Sequence, residues 1–284
     1  MSYRTFLLIP HLKIHNANAM SSPYTIGFPA MTAWLGATHA LQRRINQQGF
    51  NSLAFKATAV SCHHIDLQTY KGKGDYVYSI IGTANPLDKD GNRPAFVEEA
   101  RCHIEVTLLV ETEGLSSDDM EQVKHLINEQ VQQMKFASGD VMSVKKVDFY
   151  TVDTNETTEV RKLLNKLMLG TVLIERRDLM IEAMKQGQDA LDALLEYIKV
   201  NHRSTQSENG EVTWRTGRKT TGWIVPIAVG FQGLTELGFA KNQRDTDTPH
   251  RFAESVLTLG EFLMPYRVDN LDTILWQYHS NIDH

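Results

Sequence analysis

The sequence predicts an α+β protein whose first half is a βαββαβ, ferredoxin-like unit carrying a projecting hairpin, with helical segments added behind it. Three observations predict it. Apolar runs of strand length fall at 5–9, 53–67 and 96–110. Two amphipathic helical stretches separate or follow them, at 30–48 and 117–135. Between the second and third strands lies a stretch punctuated by Gly, Asn-Pro and Asp-Gly that fits a hairpin.

The elements follow in chain order. TFLLI (5–9) reads as a buried strand stopped by Pro10. Residues 11–29, HLKIHNANAMSSPYTIGFP, are polar and without helical period, so they read as a long loop. Pro29 opens a helix closed by Gly49, with Met31, Trp34, Leu35, Thr38, Leu41 and Ile45 on its buried stripe. Gly36, His39 and Arg43 share its other face.

In the third strand Ala100, Cys102, Ile104, Val106 and Leu108 alternate against Arg101, His103 and Glu105. Ser117 reads as the cap of the second helix, with Met120, Val123, Ile127, Val131 and Met134 inward, and a strand is expected near 141–150. Residues 157–200 read as helix in two pieces broken near Gly170–Asp178, and 201–221 as a polar, mobile stretch. GWIVPIAVGF (222–231) is strand-like. Thr248-Pro249 reads as the cap of a helix to Phe262, and Asp269 as the cap of a last helix with Leu271, Ile274, Leu275 and Tyr278.

Composition narrows the class. The chain has 284 residues, 42% hydrophobic and 22% charged, which excludes disordered, collagen-like and coiled-coil proteins. No apolar run reaches the roughly 20 residues of a membrane span, and the N-terminal segment offers no small-residue cleavage site for a secretory signal. Two cysteines, Cys62 and Cys102, make no disulfide framework and fit a reducing cytoplasm. The net charge of −5 hides an asymmetry: residues 1–74 hold seven Lys and Arg against the single acid Asp66. A basic third on an acidic body suggests a localised anion-binding surface.

No phosphate-cradling Gly-rich loop, nucleophile elbow, HExxH or CxxC occurs. Cys62-His63-His64 and Cys102-His103 could imitate a metal site, but strict alternation would put Cys62 and His64 on one side and His63 on the other, short of the four convergent ligands zinc needs. No cofactor or metal is expected. A metal-independent ribonuclease could use His63 or His15 as base with Lys71 or Arg101 on the scissile phosphate.

A nucleic-acid constellation is richer. Lys13, His15, Asn16, Asn18, Ser21, Ser22 and Tyr24 supply phosphate charge, base-edge donors and acceptors, and stacking faces within one stretch. His39, Arg43 and Arg44 follow on the helix, and the hairpin adds Lys71, Lys73, Tyr76, Tyr78 and Arg93.

Residues 7–44, LLIPHLKIHNANAMSSPYTIGFPAMTAWLGATHALQRR, closely resemble the opening of the second Csy subunit of type I-F CRISPR surveillance complexes. The resemblance continues through NPLDKDGNRPAFVEEARCHIEVTLLV (85–110), GWIVPIAVGF (222–231), RDTDTPHRFAESVLTLGEFLMPYRV (244–268) and LDTILWQYH (271–279), and is weak over 111–221. It implies a Cas-five-type tail subunit with an RNA-recognition-like palm and a thumb hairpin at about 68–96. The chain then divides into that palm within 1–150, a helical insert and mobile loop at 151–221 read from the residues themselves, and C-terminal elements at 222–284 completing the core.

Such a subunit pairs with the large subunit, abuts the first backbone subunit and holds the 5′ handle of the CRISPR RNA, while guide pairing reads the target. It is not expected to be an enzyme; contact with target double-stranded DNA stays open. Carried onto matching positions, the resemblance marks Asn16, Asn18, Ser21 and Ser22, then His39, Gln42 and Arg43 beside them. Lys71, Lys73 and Arg93 fall in the thumb, and Arg101, Arg244 and Arg251 in matching strings, where each could equally serve a salt bridge.

Overall fold

The computed structural model describes residues 3–81, 87, 89–92, 99–243 and 245–280. Fifteen strands and five α-helices are assigned among them. They run β1 (Tyr3–Asn18), β2 (Met20–Ser22), β3 (Thr25–Ile26), α1 (Met31–Asn46), β4 (Ala54–Leu67), β5 (Thr69–Tyr70), β6 (Ser79–Ile80), β7 (Arg101–Glu113) and α2 (Met120–Gln132). The second half holds β8 (Lys135–Phe136), β9 (Gly139–Ser143), β10 (Asp148–Asp153), α3 (Thr157–Asn165), β11 (Thr171–Glu175), α4 (Arg177–Lys185), α5 (Ala190–Ile198), β12 (Asn201–Gln206), β13 (Val212–Gly217), β14 (Trp223–Gly233) and β15 (Ala253–Leu263).

Nine strands form one antiparallel sheet in the order β14-β15-β11-β4-β7-β1-β9-β8, with β10 pairing the first half of β1. The pleat sends alternate residues to opposite faces. Leu7, Ile9, Leu108 and Val110 pack under α1 and α2 with Trp34, Leu41, Ile45, Val123, Ile127 and Val131. Phe6, Leu8, Ala59 and Leu109 point the other way, beneath α3 and the C-terminal segment, with Leu163, Leu167, Leu271 and Ile274. A third cluster joins α4 and α5 to β14 and β15 through Leu179, Ala183, Leu194, Ile224 and Leu259.

The stripe expected on α1 is buried at all six positions. On α2, Val123, Ile127 and Val131 are buried and Met120 is half-buried. Its cap is Asp119, which makes no side-chain bond to the helix; Ser117 is not the cap.

The structure corrects several expectations. Pro10 does not end β1. Two bulges, between Ile9 and Leu12 and between Ile14 and Ala17, absorb it, and the strand continues to Asn18. The expected 11–29 loop is therefore strand as far as Asn18, followed by the small β2–β3 hairpin. The break near Gly170–Asp178 is β11, which pairs β4 on one side and β15 on the other. Residues 201–221 contain an exposed β12–β13 hairpin.

Residues 253–263 are strand, not helix. Gly260 shows why: a Cβ there would lie 2.8 Å from Ile227 Cγ1 and 2.9 Å from Leu173 Cδ1, so the backbone is pressed between two neighbouring strands. After Asp269 only a 3₁₀ turn forms, Leu271–Thr273, capped by Asn270 Oδ1 accepting from Asp272 N at 2.9 Å. Beyond it the chain is extended and Trp276 bridges Thr58 of β4.

Candidate nucleic-acid interface

The sheet face packed under α3 is covered only in part. Beyond Ser61, whose hydroxyl donates to Leu167 O at 2.9 Å, this face carries polar and charged side chains from three adjacent strands. β7 contributes Thr107, Glu105, His103 and Arg101, and β1 contributes His11, Lys13 and His15. β4 contributes His63, His64 and Asp66. Five of the eleven histidines thus gather on one surface.

Bulges decide this arrangement. The strict alternation expected around Cys62 is broken by a shift between Cys62 and His64. Cys62 pairs Val106 in the helix-covered core, whereas His64 pairs Glu105 on the open face; the two do not share a side. The β1 bulges place His11 (φ 50°) and Asn16 (φ 59°) in left-handed backbone.

His11 Nδ1 lies 2.6 Å from Glu105 Oε1, and its ring stacks on His63 with centroids 4.5 Å apart. His63 Nε2 is 2.7 Å from the Thr107 hydroxyl. Burial, then the charges of His11 and Lys145, hold the His63 imidazole below its ordinary value, against the opposing pull of Glu105. Burial works against ionisation of Glu105, yet the bond to His11 and the charges of Lys13, His11 and His63 outweigh it and lower its pKa. A second pair, His15 and His103, stacks at 3.9 Å and 15°. Asn16 N donates to His103 Nδ1 at 3.1 Å, so the neutral His103 ring carries its proton on Nε2.

The structure divides the sequence-selected residues. Lys13, His15 and Arg101 lie on the open face; Lys13 Nζ is 3.6 Å from Glu105 and Arg101 pairs with Glu99. Asn18 Oδ1 accepts from Met20 N at 3.0 Å, and the residue also borders a groove of about 340 Å³ lined by Gly36, Ala33, Ala40 and Lys135. Ser21 and Ser22 bond Thr25 at 2.8 and 2.7 Å and hold the β2–β3 turn together.

His39, Gln42 and Arg43 sit on α1, which packs against the opposite face of the sheet, so they are not beside Lys13 and His15. Gln42 is a structural contact: its Oε1 accepts from Phe55 N at 2.7 Å. Thr38, His39, Gln42, Lys56 and Tyr278 border a second groove of about 730 Å³. On the hairpin, Lys71 Nζ lies 5.3 Å over the Tyr78 ring, and Lys73 is exposed. Arg251 is exposed, with its guanidinium packed against Gly233. Arg93 and Arg244 lie outside the described residues.

Sequence reasoning missed His11, Thr107 and Lys145 as neighbours of this surface. Its one legible sign was the Pro10-His11 pair between the apolar run 6–9 and the alternating Leu12 and Ile14. Among the described residues no cluster of three or more His, Cys, Asp or Glu could hold a metal ion. Both cysteines are buried. Burial pushes the Cys62 thiol up to about 12 and the Cys102 thiol up to about 11. Among the described residues no helix is long and apolar enough to cross a membrane.

Fold and site together define a mixed α/β protein built on one large antiparallel sheet, with one half-open face rich in cationic and imidazole side chains. A family model described as CRISPR-associated protein (Cas_Csy2) matches residues 7–284. The CRISPR-associated protein Csy2 of Pseudomonas aeruginosa (strain UCBPP-PA14) is 34% identical over 307 residues, a match covering 98% of this chain and 92% of that protein. The chain belongs to the Csy2 family of type I-F CRISPR systems, and is a CRISPR-associated subunit.

Proposed function

We propose that this subunit is a non-catalytic scaffold that holds the 5′ handle of the CRISPR RNA and pairs with the large subunit beside the first backbone subunit. The observation that carries the reading is the open sheet face, where Lys13, Arg101 and five histidines from three strands converge with no metal-ligand set among the described residues. Cations and flat polar rings on one surface suit unpaired RNA, which is gripped by phosphate charge, base-edge bonds and stacking.

The strand order β4-β7-β1-β10, with α1 and α2 on one face, supports a ferredoxin-like, RNA-recognition-like palm. The β5–β6 hairpin, with Tyr76, Tyr78 and Lys73 exposed, supports a thumb. Exposed Phe231, Leu234, Leu237, Phe239 and Phe252, at and between the far ends of β14 and β15, support a protein partner there.

A second reading, metal-independent endoribonuclease, is favoured by one feature: the His63 imidazole, held below its ordinary value by burial, stacks beside a His11 that contacts Glu105, two adjacent imidazoles of the kind acid–base cleavage uses. Lys71 and Arg101, its expected phosphate-holding groups, contact Tyr78 and Glu99. The test is binding of the chain with its large partner to handle RNA and to a scrambled handle, with product analysis on a gel. A handle-specific complex without cut product supports the scaffold. A product lost in His63→Ala overturns it, and equal binding to both RNAs removes the handle assignment.

A further inference from the structure

We propose that His15 and His103 form a stacking platform for one nucleobase of unpaired RNA, with Lys13 taking the adjoining phosphate. This deepens the RNA-holding reading and rests on it.

The two stacked imidazole pairs of the open face differ in what covers them. The inner pair, His11 and His63, is tied to Glu105 and Thr107 and closed over by the chain at Gly170, where a Cβ would come within 3.0 Å of the His63 ring. His63 therefore has the His11 ring on one face and the Gly170 backbone against its edge. Among the described residues the outer pair has no such cover: His15 is exposed and His103 half-buried beneath it.

An exposed ring on a strand would ordinarily sample several rotamers and lose that freedom on binding. His15 is held nearly parallel to a second ring, at 3.9 Å and 15°, so much of that ordering is already made. His103 is itself held by the Asn16 N–H, a bond made possible by the left-handed backbone of the bulge. A bulge residue in the αL region, used to lock an imidazole under an exposed imidazole, leaves one flat face directed at solvent.

The surroundings suit a nucleotide. Lys13, two residues before His15 on the same strand, presents its ammonium on the same face, roughly 7 Å along the chain. Its contact with Glu105 is loose, at 3.6 Å, and its side chain is 57% exposed, so it is available to a phosphate. The exposed Asn16 side chain stands next to the platform with both a donor and an acceptor for a base edge. Stacking needs no particular base, because every base has a π-face. The platform therefore adds grip on an unpaired strand and leaves sequence choice to other contacts.

The test uses the full-length chain and two fluorescein-labelled probes of equal length: octaadenylate, and the same backbone with abasic sugars. Circular dichroism confirms folding of each variant. His15→Ala is expected to weaken octaadenylate binding roughly tenfold and to leave abasic binding unchanged, while His15→Phe restores octaadenylate binding. Lys13→Ala weakens both probes alike and lowers the salt slope by about 0.7.

An equal loss for both probes in His15→Ala, or failure of His15→Phe to restore binding, overturns the platform while the RNA-holding reading stands. If the wild-type chain binds neither this probe nor handle RNA, the reading itself fails and the platform falls with it.

Discussion

Ionisable groups shielded from water next to the open face should show it in their titration and reactivity. His63 favours its neutral form in the folded chain because burial and the neighbouring His11 penalise its cation. The unfolded chain then takes up the proton first as pH falls below about 6.5. This contribution to stability is complete above that pH and is lost as the solution is acidified. The urea midpoint of wild type should fall between pH 7.5 and 5.5 by more than that of His63→Gln; equal falls would remove His63 as the cause. Cys62 and Cys102, with thiols pushed up to about 12 and about 11 and both buried, should react with an aromatic disulfide reagent only after denaturant is added. Rapid labelling of the native chain would contradict the burial.

Contacts between elements give some residues chosen as ligand contacts a part in holding the fold together. Gln42 faces the start of β4 and accepts from the Phe55 N–H, pinning α1 to that strand. Gln42→Ala should cost about 1 kcal/mol of unfolding free energy without changing the salt slope of RNA binding. A changed slope with unchanged stability would return Gln42 to the interface. β1 is the element on which the open face depends, because its two bulges let a single strand pair β7 throughout while meeting β10 with its first half and β9 with its second. Without them, His11 and His15 would follow simple alternation along the strand, and the two imidazole pairs would not form as they do.

For the whole molecule, the C-terminal segment returns to close the core begun by the N-terminal strand. Arg4 of β1 pairs with Glu111 of β7 at 2.7 Å and with Asp272 at 2.6 Å. Trp276 Nε1 donates to Leu173 O at 2.9 Å while its backbone bridges Thr58. Leu271 and Ile274 are buried against Phe6 and Leu109 on the covered half of the face. Ile274→Ala should therefore destabilise the whole chain by about 3 kcal/mol, seen as one cooperative shift in the urea transition. A separate early transition would mean that the C-terminal segment is a removable appendage. The basic N-terminal third also predicts that handle binding weakens steeply with salt, checked by titration over a salt series.

Elements whose signal is periodic and local could be read from residue order alone. The buried stripe of α1, the alternation of β7 and the inward positions of α2 depend on side-chain spacing alone, and all three were legible. Lys13, His15 and Arg101 were legible as candidates because residue type limits their chemistry. Which candidates share a surface is set by long-range strand pairing. Bulges shift register without a marked sequence signal, so they sent Cys62 and His64 to opposite faces and ran β1 past Pro10. β15 carries apolar residues at a spacing compatible with a helix, and it became strand through pairing on both sides with β14 and β11, partners distant in the chain. The open face exists because α3 and the C-terminal segment cover only half of one side of the sheet, an outcome of packing that no local pattern encodes.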